Sequence, residues 1–598
     1  MKGDHAWRYN LVAACFGLMA FLIVTRLVSI QLSQQGKTLG ERGANYQELL
    51  HTYYPARGQV FDRHGNLLAG NKQVYEISIN LYEVENPETV AFALSRVLSK
   101  NPGYQDPDFY SQVFTYASQD PFETQDKEWS LPIPITQEEL DQLLEWARRY
   151  ASMPVSKKSK DTPSLAGLYF RPRPQRFYPE GSLAANVLGY VKLDGSGVFG
   201  VEQEYNEFLA GEPQIWFVPV DPYRAPDLPK VQGGGDLVLT LDREIQSRIE
   251  HMLDDALQEN GAESGTIVVM DPKNGEILAM VSTPRIDPNS YYDYENIISG
   301  EVPFNRAVSQ PYEPGSVFKV LTMAAALDSG VVSPDTTFLD AGVIEIGGVY
   351  VYNWNGGAWG EQTMLGCMQH SLNVCLTWVA KQLGPTLFYE YLQRFNIGRS
   401  TGIDIAGEAP GTLRLPGGNW YESDLGTNSF GQGLTVTTVQ MLMAVSALAN
   451  RGEMVMPHLM RSMINDGRQY NALHTIIDTP IRAETAETIT ELLSTSLEKE
   501  ASIALVPGYR VAGKTGTAQI ATVGGYAPNI TNASFVGWGP VDDPKFLVYI
   551  WFEKPTSSPW GSEVAAPVFS EIFKQLVLLT GLPPDDIRHQ MQEQLAGH

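Results

Sequence analysis

The sequence predicts an α+β fold in three parts: an N-terminal transmembrane helix, a mixed α/β module, and a C-terminal domain with helices packed against an antiparallel sheet. Three observations predict it. A long apolar run lies near the N-terminus, strand-like segments lie at both ends of the C-terminal half with helical patterns between them, and Pro and Gly punctuate the chain between module and domain. The length of 598 residues is too great for one ordinary core, so several domains are expected.

The apolar run predicts the transmembrane helix. It is unbroken over residues 11–24 and continues past Arg26 to Ile30, about the length that crosses a bilayer. A cleaved signal peptide is the alternative, but no small-x-small cleavage site follows the run, which favours an uncleaved anchor. The numbers of Lys and Arg near the two ends leave the orientation open. We therefore expect a tail at residues 1–8 and the helix at 9–31.

The module that follows is expected to span residues 32–232. Alternating apolar residues at 75–81 predict β-structure. Residues 101–164 carry scattered Pro, Ser, Lys and Asp, and they predict a variable surface region with one amphipathic helix at 137–150. A linker is predicted at 220–235, where Pro and Gly interrupt the chain.

The C-terminal domain is expected to span residues 233–583, followed by a tail at 584–598. Apolar strands around short polar turns predict two hairpins, and periodic apolar patterns predict helices. The hairpins are predicted at 265–282 and 533–552, and the helices at 243–258 and 565–580. Strands at both ends of the domain bring its ends together in one antiparallel sheet.

Composition excludes several classes of function. The formal net charge of −25 and the lack of a basic block argue against a nucleic-acid partner. The three cysteines, Cys15, Cys367 and Cys375, have neither the spacing of a zinc site nor that of a disulfide framework. We therefore expect no metal, no cofactor and no structural disulfide.

Ser316 and Lys319 are the first candidates for catalysis. On a helix their spacing puts the hydroxyl and the amine on one face, and the apolar residues after them predict a buried helix. Burial lowers the pKa of a lysine toward that of a general base. The pattern alone is weak, because Ser496 and Lys499 repeat it in a Glu-rich helix predicted at 483–500. A helix N-cap is the alternative role of Ser316, although the Glu-Pro-Gly before it predicts an exposed helix start.

Two further patterns follow along the chain. Ser371 and Asn373 lie at the start of a helix predicted through residues 374–382, where an N-cap is again the alternative. The segment Lys514–Thr517 reads Lys-Thr-Gly-Thr and follows a strand-like stretch. A strand edge with a lysine, hydroxyls and a glycine can bind a carboxylate while the substrate backbone approaches closely. An ordinary glycine turn is the alternative there.

The order Ser-x-x-Lys, Ser-x-Asn, Lys-Thr-Gly is the combination that β-lactamases and penicillin-binding proteins share. Together with longer motifs, it makes the sequence resemble class B penicillin-binding proteins, the monofunctional D,D-transpeptidases, over nearly the whole chain. The motifs are RGQVFDRHG from Arg57, RFYP from Arg176, GYV from Gly189, GVEQEY from Gly200, NRA from Asn305, YEPGS from Tyr312, GQGL from Gly431 and AGKTGTAQ from Ala512.

The resemblance implies a peptidoglycan D,D-transpeptidase that works through a covalent intermediate on Ser316. Lys319 would accept the serine proton and Ser371 would relay a proton to the leaving D-alanine. The residues implied to bind the substrate are Asn373, Lys514, Thr515, Gly516 and Thr517. The backbone N–H groups of Ser316 and Thr517 would hold the oxyanion.

The resemblance also implies partners and a location. The donor would be a stem peptide ending in D-Ala-D-Ala, β-lactams would inhibit, and a membrane glycan polymerase and other wall-synthesis or division proteins would be partners. The tail would be cytoplasmic, the anchor single-pass and the bulk of the chain extracytoplasmic. The module at 32–232 would be the non-catalytic pedestal of the dimerisation type.

Several alternatives share these motifs. A class A β-lactamase would carry a Glu-x-x-Leu-Asn pattern after Ser-x-Asn, and residues 405–411 do not match it. A bifunctional enzyme would need a glycan-polymerising domain, for which residues 31–235 offer no acidic motif. A β-lactam sensor and an inactive scaffold stay open. The short path from Gly189 to Glu202 favours a division-type member over an elongation-type one.

Overall fold

A computed structural model describes residues 6–32, 48–53, 55–153, 162–219, 232–294, 303–522 and 525–596. They form two compact units, Met1–Ala56 with Gly211–Gly234, and Arg57–Ala210 with Gly235–His598. Parts of the predicted segments lie outside the described residues: 1–5 of the tail, 33–47 and 54 of the module, 154–161 of its variable region, 220–231 of the linker, 295–302 and 523–524 of the C-terminal domain, and 597–598 of the C-terminal tail.

The first unit contains the apolar N-terminal helix, Ala6–Leu32. Its segment Leu11–Ser29 has a mean hydropathy of 2.3 and none of it is buried. An apolar surface that no protein covers suggests a membrane anchor. The unit also contains an antiparallel pair of strands, Glu48–Tyr53 and Gln214–Pro219. Gly561–Gln594 also contains an apolar window long enough to cross a membrane, but 44% of that window is buried inside the fold.

The second unit contains a seven-stranded sheet shared between the pedestal and the C-terminal part of the chain. Its central pairing is parallel, and sets Val60 beside Leu237. The strands run, from one edge, through Arg468–Asn471, Met460–Asn465, Asp236–Leu239, Val60–Phe61, Leu67–Asn80 and Glu128–Ser130, with Leu168–Phe177 also paired to Leu67–Asn80. The β-structure predicted at 75–81 lies in a long strand except for its last residue, because that strand ends at Asn80.

The region predicted to be a variable surface also contains helices and a hydrophobic core in its described part. The predicted amphipathic helix is confirmed at Gln137–Ala151, and further helices lie at Pro87–Val97 and Phe109–Ala117. These elements enclose a separate hydrophobic core whose buried side chains include Val113 and Leu143. The sequence pattern did not predict this core because its apolar residues are spread over several short elements, none of which has a strong period alone.

Three of the motifs that carry the family resemblance meet in a buried ion cluster of the pedestal. Glu202 is fully buried, and its carboxylate contacts Arg57 Nε at 2.7 Å and Arg176 Nε at 2.6 Å. Tyr178 donates a further bond of 3.3 Å to the same carboxylate. Arg176 also donates to the carbonyl of Gly58 at 2.6 Å. The motifs around these residues are therefore joined by one buried carboxylate.

The C-terminal part of the unit is built on a five-stranded antiparallel sheet. Its order is Ile277–Ser282, Ser264–Met270, Phe546–Glu553, Gly525–Gly539 and Ala512–Thr522. Both predicted hairpins are confirmed. Every residue of Ser264–Met270 is buried, because helices cover both faces of the sheet.

The helices on the two faces have different roles. Arg243–Asn260 and Ala566–Thr580 cover one face, close to the predicted bounds, and each ends at a left-handed glycine. The other face is covered by Lys319–Asp328, Asn373–Arg394, Thr438–Ala449 and Ala483–Glu500. Two of these carry the residues of the predicted site.

Shorter elements complete the unit. The predicted C-terminal tail contains a helix, Asp585–Ala596, whose Arg588 is buried and pairs with Asp542 at 2.6 Å. The remaining helices are Ala185–Leu188, Gly200–Glu204, Asn206–Ala210, Arg306–Ser309, Met364–Gln369, Glu422–Asn428 and Gly561–Val564, with 3-10 turns at Leu98–Lys100, Pro102–Tyr104, Pro288–Asp293, Gly315–Phe318 and Ser502–Ala504. The remaining strand pairs are Tyr190–Val191 with Gly197–Val198, Thr337–Asp340 with Gly360–Thr363, Val343–Ile346 with Val349–Tyr352, and Met454–Val455 with Ile476–Asp478.

The buried ion cluster generates a prediction about stability. Glu202→Gln leaves two buried guanidinium groups without their counter-charge, which costs about 3–5 kcal/mol. We expect a lower thermal unfolding midpoint, measured by calorimetry on the full chain. The control is Glu128→Gln, which breaks the exposed pair with Arg171 and costs about 1 kcal/mol or less. Equal shifts of the midpoint in the two variants would contradict a structural role for the cluster.

Candidate active site

Ser316 lies in a turn that presents its side chain to a cleft. Gly315 adopts a left-handed conformation, φ +60°, and its N–H donates to the carbonyl of Gly431 at 3.0 Å. The 3-10 turn Gly315–Phe318 then leads into the helix Lys319–Asp328. The Ser316 side chain is half-buried, and its hydroxyl has no hydrogen-bond partner among the described residues. It is therefore free to meet a substrate.

Lys319 begins the buried helix and is itself fully buried. Its Nζ lies 2.6 Å from the carbonyl of Ser371, 3.1 Å from Ser371 Oγ and 2.8 Å from Asn373 Oδ1. Burial, and then the positive charge of Lys514, lower the pKa of Lys319 well below its usual value. A neutral amine can donate to the Ser371 carbonyl and to Asn373 Oδ1 with its two N–H groups, which leaves its lone pair available to accept a proton.

Ser371 and Asn373 lie at a turn between two helices, Met364–Gln369 and Asn373–Arg394. Ser371 has φ +52°, a left-handed conformation that costs a residue other than glycine about 1–3 kcal/mol. Such a conformation persists only where the surroundings hold it. The contacts of Lys319 to this turn are one such restraint.

A disulfide between Cys367 and Cys375 is the second restraint, and it corrects the expectation that the chain has no structural disulfide. Both cysteines are fully buried, one in each helix that flanks the turn. The turn folds the second helix back on the first, so that the two Cα atoms lie 5.9 Å apart. Spacing in the sequence did not reveal the pair, since the contact depends on the turn between the helices.

The Lys-Thr-Gly-Thr segment lies on Ala512–Thr522, the edge strand of the five-stranded sheet. Lys514 is buried, and its Nζ donates to the carbonyl of Thr515 at 3.0 Å and to the hydroxyl of Thr515 at 3.3 Å. Burial lowers the pKa of Lys514 to about 8, against the opposing effect of Glu500. The Thr517 hydroxyl accepts from the N–H of Gly561 at 3.1 Å.

Gly516 allows this strand to lie against the Ser316 turn. A Cβ at this position would lie 2.3 Å from Ser534 Oγ and 2.8 Å from Val317 Cγ1, closer than packed atoms approach. Gly315 meets the strand from the other side, where a Cβ would lie 2.9 Å from the carbonyl oxygen of Thr517. The two glycines thus set the separation between the serine and the edge strand.

The predicted residues converge on one cavity of about 790 Å³. Its lining includes Ser316, Ser371, Asn373, Lys514, Thr515 and Thr517. Lys319 lies beneath it, in contact with Ser371 and Asn373, whereas Gly516 is buried and serves the packing of the strand. All eight predicted residues are therefore in or directly against the site, in the positions named here.

Other lining residues were not predicted from the sequence. Trp354 and Trp560 meet edge to face with ring centroids 5.3 Å apart, and Trp354 donates to the carbonyl of His370 at 3.2 Å. Ser496 also lines the cavity, while Lys499 is exposed as predicted. No sequence motif marks the two tryptophans, because they come from separate loops that only the fold brings together.

The matches to known proteins agree with this geometry. Residues 265–574 match the family described as penicillin binding protein transpeptidase domain, and residues 52–226 match the penicillin-binding protein dimerisation domain. Stage V sporulation protein D of Bacillus subtilis is 32% identical over 592 residues, which cover 96% of this chain and 86% of that protein. A probable peptidoglycan D,D-transpeptidase PbpC of Pseudomonas aeruginosa is 29% identical over 603 residues and covers 97% of both chains.

Solved structures agree as well. Penicillin binding protein 3 from Mycobacterium tuberculosis, complexed with aztreonam, superposes with a TM-score of 0.67 at 26% identity, covering 89% of this chain and 98% of that one. The chain belongs to the penicillin-binding protein transpeptidase family, as a class B member with a dimerisation domain. It is accordingly an enzyme of the peptidoglycan D,D-transpeptidase class.

The packing of Gly516 generates a prediction about the site. Gly516→Ala should push the edge strand away from the Ser316 turn, and a misplacement of about 1 Å can cost on the order of 10²-fold in rate. We expect slower labelling of the protein by penicillin, followed by intact mass. The control is Gly418→Ala, whose new methyl group meets no atom within 4 Å. Labelling at the rate of the unchanged protein would contradict the packing argument.

Proposed function

We propose that the chain is a peptidoglycan D,D-transpeptidase that cross-links stem peptides through an acyl-enzyme on Ser316. The observation that carries this proposal is the buried Lys319 amine, 3.1 Å from the Ser371 hydroxyl, beneath a cavity lined by Ser316 and Lys514. A neutral amine, a free hydroxyl and a cationic group lining one cavity form the set that acyl transfer from a carboxylate-bearing peptide requires.

In the first step Ser316 Oγ bonds to the carbonyl carbon of the penultimate D-alanine, and Lys319 takes the hydroxyl proton. The peptide bond to the terminal D-alanine then breaks, and its nitrogen receives a proton relayed through Ser371. In the second step the amine of a neighbouring stem peptide attacks the ester, gives up a proton, and restores the Ser316 hydroxyl. The backbone N–H groups of Ser316 and Thr517 stabilise the oxyanion in both steps.

Substrate binding is assigned to residues on two sides of Ser316, namely Asn373 and the edge strand Ala512–Thr522. Asn373 hydrogen-bonds the amide of the peptide, and Lys514, with Thr515 and Thr517, binds the terminal carboxylate. A charge-assisted bond of this kind contributes about 1.5–3 kcal/mol. Gly516 lets the strand lie close to the substrate backbone. An extended peptide can add to the open edge of Ala512–Thr522 as a further strand.

The proposal includes inhibition by β-lactams, which carry a carboxylate and a strained amide that Ser316 can open. The solved structure named above, a protein 26% identical, was determined with aztreonam, which supports this part. A sensor would keep the acyl group without turning it over, and an inactive scaffold would not form it. The lifetime of the acyl group and the release of D-alanine from a D-Ala-D-Ala peptide separate these alternatives.

We propose the following arrangement at the membrane: a cytoplasmic tail at residues 1–8, a single-pass helix at 9–31, an extracytoplasmic pedestal at 32–232 and transpeptidase domain at 233–583, and a tail at 584–598. The exposed apolar helix supports the anchor. Protease added to spheroplasts tests the orientation. Division is the proposed role and elongation the alternative, with a membrane glycan polymerase and other wall-synthesis or division proteins as partners.

The first prediction from this mechanism concerns the nucleophile. Penicillin should add one acyl group to the full-length protein, on Ser316, and Ser316→Ala should lose it altogether. Ser496→Ala is the matched control, because Ser496 lines the same cavity and also stands three residues before a lysine. We expect that control to keep the label. Peptide mass mapping gives the modified residue, and a label on Ser496 would overturn the assignment.

The second prediction concerns pH. Since the pKa of Lys514 is lowered to about 8, its ammonium is present below pH 8 and is lost as the pH rises above it. The second-order rate of acylation reports groups of the free enzyme. For penicillin this rate should therefore fall above about pH 8, by up to tenfold per unit. The methyl ester of the same penicillin lacks the carboxylate and should show no such limit. The same alkaline fall with both compounds would contradict the carboxylate-binding role.

A further inference from the structure

The cavity poses an electrostatic problem. The proposed mechanism needs Lys319 neutral, to accept a proton, and Lys514 charged, to bind a carboxylate. Both amines are buried, with exposed fractions of 0% and 4%. Burial alone drives every lysine toward its neutral form. Something in the surroundings must therefore act on one of these amines and not on the other.

The lysine, histidine and glutamate side chains that line the cavity with Lys514, or lie beneath it, come from four elements. Lys319 begins the helix Lys319–Asp328 and carries no negative charge. His370 precedes the Ser371 turn. Glu500 ends the helix Ala483–Glu500, and Glu563 lies on the short helix Gly561–Val564. Among the described residues that line the cavity, Glu500 and Glu563 are the two with carboxylates.

Glu500 is held at the cavity by specific contacts. The helix Ala483–Glu500 packs against the strand that carries Lys514, so both residues line the same wall. Glu500 Oε1 lies 2.7 Å from His370 Nδ1 and accepts a long bond, 3.4 Å, from Gln369 Nε2. His370 in turn stacks on Trp359 with ring centroids 4.1 Å apart. These contacts keep the carboxylate against the cavity.

Glu500 is the last residue of its helix, a position at which a negative charge does not stabilise the helix. A carboxylate at the C-terminal end meets the negative end of the helix dipole, which is unfavourable. A nearby positive charge offsets that cost. Lys514 lines the same cavity as Glu500 and can supply such a charge.

We infer that Glu500 is a positioning residue, the counter-charge that keeps the buried Lys514 amine protonated while Lys319 stays neutral. The inference rests on the proposed function. The direction of each shift supports it: Glu500 opposes the fall in the pKa of Lys514, whereas the pKa of Lys319 is lowered further by the charge on Lys514. Glu500 thus acts on Lys514 directly and on Lys319 indirectly. It keeps the Lys514 amine charged, and that positive charge disfavours a proton on Lys319.

The test compares two compounds and four proteins, all full-length in detergent. The proteins are the unchanged chain, Glu500→Gln, and two controls that remove one carboxylate elsewhere: Glu563→Gln in the same cavity and Glu498→Gln on the same helix. Penicillin and its methyl ester are the compounds, and intact mass gives the second-order rate of acylation from pH 6 to 10.

We expect Glu500→Gln to move the alkaline limit of the penicillin reaction to lower pH by roughly one unit. Above the shifted limit the rate is then about tenfold lower than in the unchanged chain, and the ester reaction keeps its profile. Both controls keep the limit of the unchanged chain. Glu500→Asp retains the charge and should restore the limit at least in part, which separates loss of charge from loss of fold.

Two outcomes overturn the inference alone. One is an unmoved alkaline limit in Glu500→Gln. The other is an equal change for penicillin and its ester, which would make Glu500 a structural residue. In both, the unchanged chain still reacts at Ser316 with a limit specific to the carboxylate. If the unchanged chain forms no acyl group on Ser316, the proposed function fails, and the inference fails with it.

Discussion

The contact between Lys319 and the Ser371 turn is the interaction on which the site depends. It joins the helix that follows the Ser316 turn to the element that presents Asn373, through one amine buried away from water. Burying an amine is costly unless its hydrogen bonds are made, and here three oxygen atoms surround it. The same burial lowers the pKa of the amine and so favours its neutral form, which is the form that the proposed role of Lys319 as a base requires.

Other features of the domain hold three separate segments in place around that contact: the Ser316 turn, the Ser371 turn and the edge strand Ala512–Thr522. Two glycines bring the edge strand against the serine turn, and the disulfide between Cys367 and Cys375 restrains the strained turn at Ser371. These devices are rigid, which suits a site whose rate depends on small distances. The aromatic pair Trp354 and Trp560 joins loops from two sides of the cavity. Each of these features acts on the position of a backbone segment that lines the cavity, not on the reactive side chain itself.

Much of this could be predicted from the sequence, because local patterns carry it. Period-two runs predicted both hairpins, and an all-apolar run predicted the buried helix after Ser316. The order of three short motifs predicted residues that the fold brings to one cavity. The failures have a common physical origin. The cysteine pair, the pedestal core and the position of Glu500 all depend on how separate elements pack, and no local period encodes that.

The net charge of the whole chain bears on how the cavity could attract an anionic substrate. A net charge of −25 repels anions, including a peptide carboxylate or a β-lactam, from most of the surface. Exposed charges act weakly beyond a Debye length of about 8 Å at physiological salt, whereas buried charges are screened much less. A buried Lys514 ammonium therefore provides local attraction that the surface does not. That attraction lasts only while the amine is charged, and this is why the proposed role of Lys514 needs a counter-charge such as the one inferred at Glu500.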